Sequence, residues 1–397
     1  MAPEEDGSWI VGRADGGQFA EIPVEGMTFL RSLEQNESIE TACSRVECEY
    51  GEEIDALDFI QEIADLGFIE SVEGEPTGVR TQAPSLSWLA PRHVSWVFRW
   101  PTLVCVAAFI VTGGVVAIAR GEPGPGYRAF FVTSSPSVNL AWNLTVIVTT
   151  VAVHEFWHLA AARAEGVHAR IGLGTRLTFL VAQTTVSGLW LLPRRIRLRV
   201  YLAGIASDLL VLSAFYLVLS QVPPESMIHR MLEASIIGIF AGLAYQFAVF
   251  TRTDIYFVLQ ELLKCKNLYS DAIHYMRYAM RVPLRLISGR YCPADPTLGL
   301  PERERKPVKI YSGLVFVGSA MFLAFFACYE VPIAVTLMAE AAQHLSQGIV
   351  AVSAENITDG AFALVIQLTF IVTFLKLTAE KHGPKICRIA RSARVKS

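Results

Sequence analysis

Residues 138–164 read VNLAWNLTVIVTTVAVHEFWHLAAARA. This stretch is long and apolar enough to cross the roughly 30 Å hydrocarbon core of a bilayer as a helix. No charged residue stands between Arg128 and His154. The sequence therefore places His154, Glu155 and His158 in a predicted membrane span, where ionisable side chains are costly and indicate a functional site.

The spacing of these three residues suits metal chemistry. Two histidines four residues apart on a helix project from one face, about 40° from each other, and can bind one metal ion. Glu155 follows the first histidine and is placed to accept a proton from an attacking water, as in the HExxH pattern of metallopeptidases. The alternative is a pair of histidines that reach the membrane interface from a helix end, with Glu155 paired to Arg163.

Composition indicates a membrane protein with a polar N-terminal part. The chain has 397 residues, 52% of them hydrophobic, and a formal net charge of −3. Acidic residues are concentrated in the first 75 positions and basic residues in later connections. This asymmetry argues against nucleic acid as a partner and for the lipid bilayer. The acidic N-terminus lacks a signal-peptide pattern. The seven cysteines show no CxxC spacing, so we expect free thiols.

Residues 1–75 predict a small α+β domain of the winged-helix type. Trp9–Pro23 has the pattern of a hairpin, and Phe68–Val72 that of a strand. Between them lie three helical patterns, which cover Val24–Leu33, Ser38–Tyr50 with Ser38 as N-cap, and Ile54–Leu66. Residues 76–95 are predicted to form a linker, because they begin with a stretch rich in Pro, Gly, Ser and Thr.

Residues 96–378 predict a mainly α-helical, six-span membrane domain. The spans are expected at Trp96–Ala119, Val138–Ala164, Val200–Val222, Met231–Phe250, Ile310–Met338 and Ala361–Leu377. Connections rich in Lys and Arg alternate with the connections Ser220–Ile228 and Ala339–Gly360, which have none. The positive-inside rule then puts both termini, including the basic tail 379–397, in the cytoplasm of a multi-pass protein of the cell membrane.

A β-like insertion is predicted after the second span. Residues 167–192 are rich in β-branched residues and glycine, and their apolar runs are too interrupted for another span. They fit a hairpin or a re-entrant sheet. The free edge of such a sheet could hold a peptide as an added strand. His168 lies just outside the helix of the motif, and we interpret it as a surface histidine.

A catalytic zinc ion usually takes three protein ligands, so one more donor is needed. Asp254, expected at the cytoplasmic end of the fourth span, is the preferred candidate; an ion pair with Arg252 or a helix N-cap is the alternative. Asp208, within the third span, is interpreted as a partner that accepts a hydrogen bond from a ligand histidine, or else as the third ligand itself.

Together these motifs resemble the site-2-protease family of membrane zinc metallopeptidases. The resemblance covers roughly residues 90–380 and rests on HEFWH, the β-like segment, Ala203–Asp208 (AGIASD) and the late aspartate. The stretch FTRTDIYFVLQELLKCKNLYSDA, residues 250–272, resembles a bacterial subgroup encoded with ribosomally made, modified peptides, including daptide-type systems. That resemblance implies that Asp254 is the third ligand. Ile255 stands where the family usually has Gly after this Asp, and residues 204–208 depart from its Gly-Pro-x-x-Asn pattern.

The N-terminal element order resembles PqqD-like peptide-recognition domains, in which a leader peptide adds as a strand to the wing; an ordinary cytoplasmic regulatory domain is the other interpretation. The resemblances imply a zinc endopeptidase that removes the leader of a precursor peptide. Zn²⁺ would be held by His154, His158 and Asp254, and Glu155 would carry the proton from the attacking water to the leaving amine. The competing classes are a regulatory intramembrane protease that cleaves a single-span protein, and a non-catalytic transporter or immunity protein. A homo-oligomer is left open.

Overall fold

The computed structural model describes residues 2–3, 9–12, 19–35, 37–51, 54–65, 68, 71–72, 75–76, 85–121, 124, 126–176, 179–186, 189, 192–265, 267–287 and 294–394. The protein is mainly helical. It divides into two compact units, the first made of Met1–Trp100, Phe156–Gly172 and Gln183–Val200, the second of Pro101–Glu155, Leu173–Ala182 and Tyr201–Ser397. Helices and strands that continue across this division are given as single elements.

The chain begins with a small antiparallel sheet. Its strands, in the order β1-β2-β3, are β1 (Ala2–Pro3), β2 (Trp9–Gly12) and β3 (Phe19–Ile22). In the β2–β3 pair, Trp9 faces Ile22 and Gly12 faces Phe19. The predicted hairpin at Trp9–Pro23 is therefore present as two paired strands, and its predicted turn lies outside the described residues.

Three helices follow at the predicted places. They are α1 (Val24–Glu34), α2 (Ile39–Tyr50) and α3 (Ala56–Asp65). Ser38 is the N-cap of α2, as predicted, because its Oγ accepts a hydrogen bond from the backbone N–H of Thr41 at 3.2 Å. Gly51, with φ +72°, ends α2 in the left-handed conformation that glycine adopts at little cost.

The sheet and helices enclose two adjoining apolar clusters. One contains Val11, Ile22, Met27 and Ile63, and the other contains Phe29, Ala42 and Val46. The Phe29 and Phe59 rings join them in an edge-to-face contact with centroids 5.7 Å apart. These contacts bury one face of each helix, as the periodicity predicts.

Beyond α3 the end of the predicted strand Phe68–Val72 takes part in a short β pair. Strands β4 (Ser71–Val72) and β5 (Glu75–Pro76) are antiparallel, with Ser71 facing Pro76. The residues predicted as strand include Phe68, which is not in a strand, and positions 69 and 70, which lie outside the described residues. After a short helix α4 (Pro91–Val94), α5 begins at Trp100, four residues later than predicted, because turns occupy residues 95–98.

Six candidate membrane spans are present among the described residues, as predicted. They are α5 (Trp100–Ala119), α6 (Pro136–Ala164), α7 (Arg194–Leu219), α8 (Met227–Gln246), the stretch Glu302–Ala351, and the first part, Ala354–Thr373, of α13 (Ala354–Arg394). Large apolar side chains such as Ile118, Phe316 and Val365 are exposed on these helices. Exposed apolar surface of this kind fits contact with lipid.

The fifth span is longer than predicted. It consists of α11 (Glu302–Phe325), a π-helical turn at Phe326–Glu330, and α12 (Val331–Ala351). At 1.5 Å per residue, these 50 residues extend about 75 Å, more than twice the hydrocarbon thickness. The predicted loop Ala339–Gly360 is wrong, because its Ala, Glu and Gln residues favour helix and the chain turns only around Val352.

The connection after α6 contains two strands, β6 (Ala169–Arg176) and β7 (Phe179–Val186), which pair with each other. Only two residues separate them, so they run antiparallel.

The basic connection after the fourth span holds two further helices, α9 (Asp254–Leu263) and α10 (Leu268–Ile287). Tyr256, Leu268 and Tyr311 form the centre of a buried cluster that joins these helices to α11. Within this cluster Cys265 is buried, and burial raises the pKa of its thiol to about 11. Cys43, Cys48, Cys105, Cys265 and Cys328 are free thiols, and the side chains of Cys292 and Cys387 are outside the described part of the chain.

Candidate metal centre

Helix α6 presents the HEFWH residues inside a buried section of its C-terminal half. Leu159 to Ala162, directly after the motif, are fully buried, whereas Ile147 and Val148 nearer the start of the helix are exposed. His154, Glu155 and His158 are 8%, 9% and 6% exposed. The three polar side chains are therefore covered by protein, which is where ionisable groups at membrane depth are normally found.

His154 lies between two carboxylates. Its Nδ1 is 2.8 Å from Oδ2 of Asp208 on α7, and its Nε2 is 2.9 Å from Oδ2 of Asp254 at the start of α9. A neutral imidazole has one N–H donor and one lone pair, so it can donate to only one of these carboxylates. The other contact would set a lone pair against an anion. The second contact therefore needs either an extra proton, on the ring or on one of the two carboxyl groups, or a metal ion shared by Nε2 and Asp254.

His158 is held in one tautomer by the backbone. Its Nδ1 is 2.7 Å from the carbonyl oxygen of Val200, and a carbonyl can only accept, so Nδ1 carries the proton. The lone pair of His158 is consequently on Nε2. Metal-binding histidines commonly donate their other ring N–H in this way to a carbonyl or carboxylate, and Asp208 offers His154 the same kind of partner.

Asp254 begins a helix instead of closing one, contrary to the prediction. Helix α8 ends at Gln246, a 3₁₀ turn covers Val249–Thr251, and α9 starts at Asp254. Oε1 of Gln246 accepts a hydrogen bond from the backbone N–H of Asp254 at 3.1 Å, and the backbone carbonyl of Gln246 accepts one from Oγ1 of Thr253 at 2.6 Å. These contacts join the two helix ends across the break.

Two aromatic contacts brace this region. Tyr201 stacks on Phe257 with centroids 5.3 Å apart, which ties α7 to α9. The Arg252 guanidinium lies 4.8 Å from the centre of the Tyr269 ring, in cation–π geometry.

Thr253, not Asp254, occupies the N-cap position of α9. The Asp254 carboxylate is thus turned to His154.

His154, His158 and Asp254 form a group that could hold a metal ion. One potential ligand atom from each residue lies within 4.8 Å of the others. Zinc ligands at about 2.0–2.2 Å in tetrahedral geometry stand about 3.4 Å apart, so the group has the scale of a one-ion site. Two imidazole nitrogens and one carboxylate oxygen also match the donors that zinc accepts in catalytic sites. His154, His158 and Asp254 therefore fit a zinc ion in spacing and in donor type.

The remaining predicted residues take distinct positions. Asp208 is 5% exposed and contacts the Nδ1 of His154, and it is not one of the three residues in the candidate metal group. Glu155 is buried beside His154, rotated about 100° from it around the helix. His168 is exposed and also lies outside the group.

Sequence reasoning missed two groups that shape the site. The Val200 carbonyl is a backbone atom, and no residue type signals its role. Gln246 carried a usable signal, since it is a lone amide near the end of an apolar span and eight residues before an aspartate.

Comparisons with protein-family models, with curated proteins and with solved structures give no match to this chain.

Proposed function

We propose that this protein is a membrane-embedded zinc endopeptidase of the site-2-protease type. The observation that carries the proposal is that His154, Glu155 and His158 are buried on a helix of span-like length and composition, and that Asp254 at the start of α9 completes a group that could hold a metal ion. Neighbouring ionisable groups that are buried at membrane depth are seldom structural alone.

In the proposed reaction, different residues would bind the metal ion, orient its ligands and transfer the proton. His154, His158 and Asp254 would hold Zn²⁺, which supplies a Lewis acid when bound. Val200 and Asp208 would keep both imidazoles in the tautomer that offers Nε2 to the site. Glu155 would accept the proton of the attacking water and deliver it to the leaving amine.

The proposed substrate is a precursor peptide whose leader is removed during maturation of a ribosomally made, modified peptide. The N-terminal residues support this, because a β-sheet, three helices and a short β pair follow one another in the order of a PqqD-like winged-helix domain. Such a domain would capture the leader and raise its concentration near the site.

The orientation belongs to the same proposal. Seven arginines lie between Arg163 and Arg199, and eleven lysines and arginines lie between Arg252 and Lys309. Residues 220–228 and residues 339–360, which contain the turn around Val352, carry none, and the connection between the first two spans carries only Arg120 and Arg128. Both termini would then be cytoplasmic in the cell membrane.

One observation favours the non-catalytic alternative. His344 on α12 lies 3.0 Å from Asp359 on α13, so a second pair of ionisable groups occupies candidate spans. Intramembrane pairs of this kind also mark ion pathways in transporters. However, Asp359 accepts hydrogen bonds from Oγ of Ser135 and the backbone N–H of Ser137, which suits a structural tie at the start of α6.

The test of the proposed activity uses the zinc-loaded protein in lipid nanodiscs with the short peptides encoded beside its gene. Wild type should release a leader fragment that mass spectrometry detects, and Glu155→Gln should not, although it keeps its zinc. Equal cleavage by both proteins would contradict the role of Glu155. Cleavage of a single-span protein from the same locus instead would favour the regulatory protease.

A further inference from the structure

Gln246 connects the end of α8 to the start of α9 through both its backbone and its side chain. It is the last residue of α8, and its backbone carbonyl accepts the 2.6 Å hydrogen bond from Oγ1 of Thr253. Its Oε1 accepts the 3.1 Å hydrogen bond from the backbone N–H of Asp254. The last carbonyls and the first N–H groups of a helix have no partner within that helix. The carbonyl that ends α8 and the N–H that begins α9 are therefore both satisfied across the break.

Thr253 does not act as an ordinary N-cap. A threonine at this position normally accepts a hydrogen bond from an N–H in the first turn of its own helix. Within the described residues of α9 its hydroxyl accepts none, and it donates to the Gln246 carbonyl instead. Thr253 is also fully buried, so this contact is shielded from water. The Gln246 side chain, which bonds the N–H of Asp254, caps the start of α9 in its place.

The backbone just before Asp254 is strained. Arg252 has φ +56°, in the left-handed region that residues other than glycine rarely adopt. Such a conformation persists only where surrounding contacts fix it. The two Gln246 bonds close the chain around Arg252, and the Arg252 guanidinium also lies against the Tyr269 ring. A strained residue held in this way, two positions before a candidate metal ligand, indicates that the direction of that ligand is what these contacts maintain.

We propose that Gln246 is a positioning residue of the zinc site, which holds the backbone of Asp254 so that its carboxylate reaches His154. Oδ2 of Asp254 lies 2.9 Å from Nε2 of His154. An aspartate side chain has only two rotatable bonds, so the place of its backbone limits where its carboxylate can lie. Without the bond to Oε1, the first N–H of α9 loses its partner and the carboxylate is less firmly held beside the imidazole. This inference deepens the proposed function and rests on it for the identity of the ion.

The experiment measures the zinc affinity of the full chain in lipid nanodiscs, by competition with a chromophoric chelator. Gln246→Leu keeps the backbone carbonyl and removes Oε1, so it should bind zinc about two- to tenfold more weakly than wild type, as expected for the loss of one hydrogen bond. Gln246→Glu keeps an acceptor oxygen and should bind zinc more tightly than Gln246→Leu. Gln343→Leu, at an exposed glutamine of α12 outside the candidate metal group, is the matched control and should equal wild type.

Two further measurements separate positioning from a general loss of stability. Cobalt(II) bound in place of zinc reports the geometry of its ligands. Its d–d absorption bands should shift in Gln246→Leu and should stay as in wild type in Gln343→Leu. Hydrogen exchange of the metal-free protein, resolved to single amides by mass spectrometry, should be faster at Asp254 in Gln246→Leu and unchanged in the middle of α9.

Three results would overturn the inference and leave the metal centre standing. They are wild-type zinc affinity and cobalt bands in Gln246→Leu, an equal loss of affinity in Gln246→Glu and Gln246→Leu, or unchanged exchange at the Asp254 amide. Absence of bound zinc in wild type would instead remove the proposed peptidase. The exchange measurement needs no metal, so it would still show whether Gln246 holds Asp254 in place.

Discussion

Nδ1 of His154 lies 2.8 Å from Oδ2 of Asp208, a residue 54 positions further along the chain. The same imidazole has its Nε2 2.9 Å from Asp254. The two aspartates thus contact opposite sides of one ring. The candidate metal group includes Asp254 but not Asp208, so in the proposed zinc site Asp254 would be a ligand and Asp208 would be the partner that orients His154.

The first prediction concerns Asp208. Asp208→Ala removes the acceptor that orients His154 but leaves all three proposed ligands, so zinc affinity should fall by about 10- to 100-fold while saturating zinc still gives one equivalent. Asp208→Asn keeps an acceptor oxygen, so its zinc affinity should fall less than that of Asp208→Ala. Competition with a chromophoric chelator measures both constants. Complete loss of zinc at saturation in Asp208→Ala would instead make Asp208 the third ligand.

The second prediction concerns Asp254. Asp254→Ala deletes a proposed anionic ligand, so its zinc affinity should fall further than that of Asp208→Ala in the same chelator assay. Asp271→Ala is the matched control, because Asp271 is a partly buried aspartate on α10 that lies outside the candidate metal group. Wild-type affinity in Asp254→Ala, or an equal loss in the control, would refute the ligand assignment.

The third prediction tests the packing of the first span. A Cβ at Gly113 would lie 2.4 Å from Cβ of Ser213 and 2.6 Å from its Cα, whereas a Cβ at Gly114 would meet nothing within 4 Å. Gly113→Ala should therefore destabilise the protein by about 1–3 kcal/mol through overpacking. Gly114→Ala should be neutral or slightly stabilising, since alanine favours helix over glycine. Thermal unfolding in detergent compares the two, and equal midpoints would contradict this close contact of α5 with α7.

Local patterns explain which parts of the fold could be predicted. Hydropathy gives the six spans because each must supply a long apolar segment, and the Ser38 cap is set by contacts within four residues. The sequence does not predict the break between α8 and α9, because residues 247–253 (FAVFTRT) contain neither Gly nor Pro and residues 247–250 continue the apolar run. There the Gln246 contacts, rather than a local turn signal, accompany the change of direction.

The candidate site can also be predicted only where its residues are close together in the sequence. HEFWH could be identified because helix geometry fixes the relation of His154 to His158. The pairing of His154 with Asp254 joins residues 100 positions apart, so it depends on how the spans pack. The sequence predicts Asp254 as a ligand because it is an acidic donor near the end of another apolar span, whereas its place at the start of α9 is seen only in the structure.

Zinc content per mole of purified protein tests the central claim most directly, measured by mass spectrometry for wild type and His158→Ala after zinc loading and removal of excess. The account predicts about one equivalent in wild type and a large loss in His158→Ala, because the variant lacks one of three ligands. No zinc in the wild type, or the same content in both proteins, would contradict a metal centre at His154, His158 and Asp254.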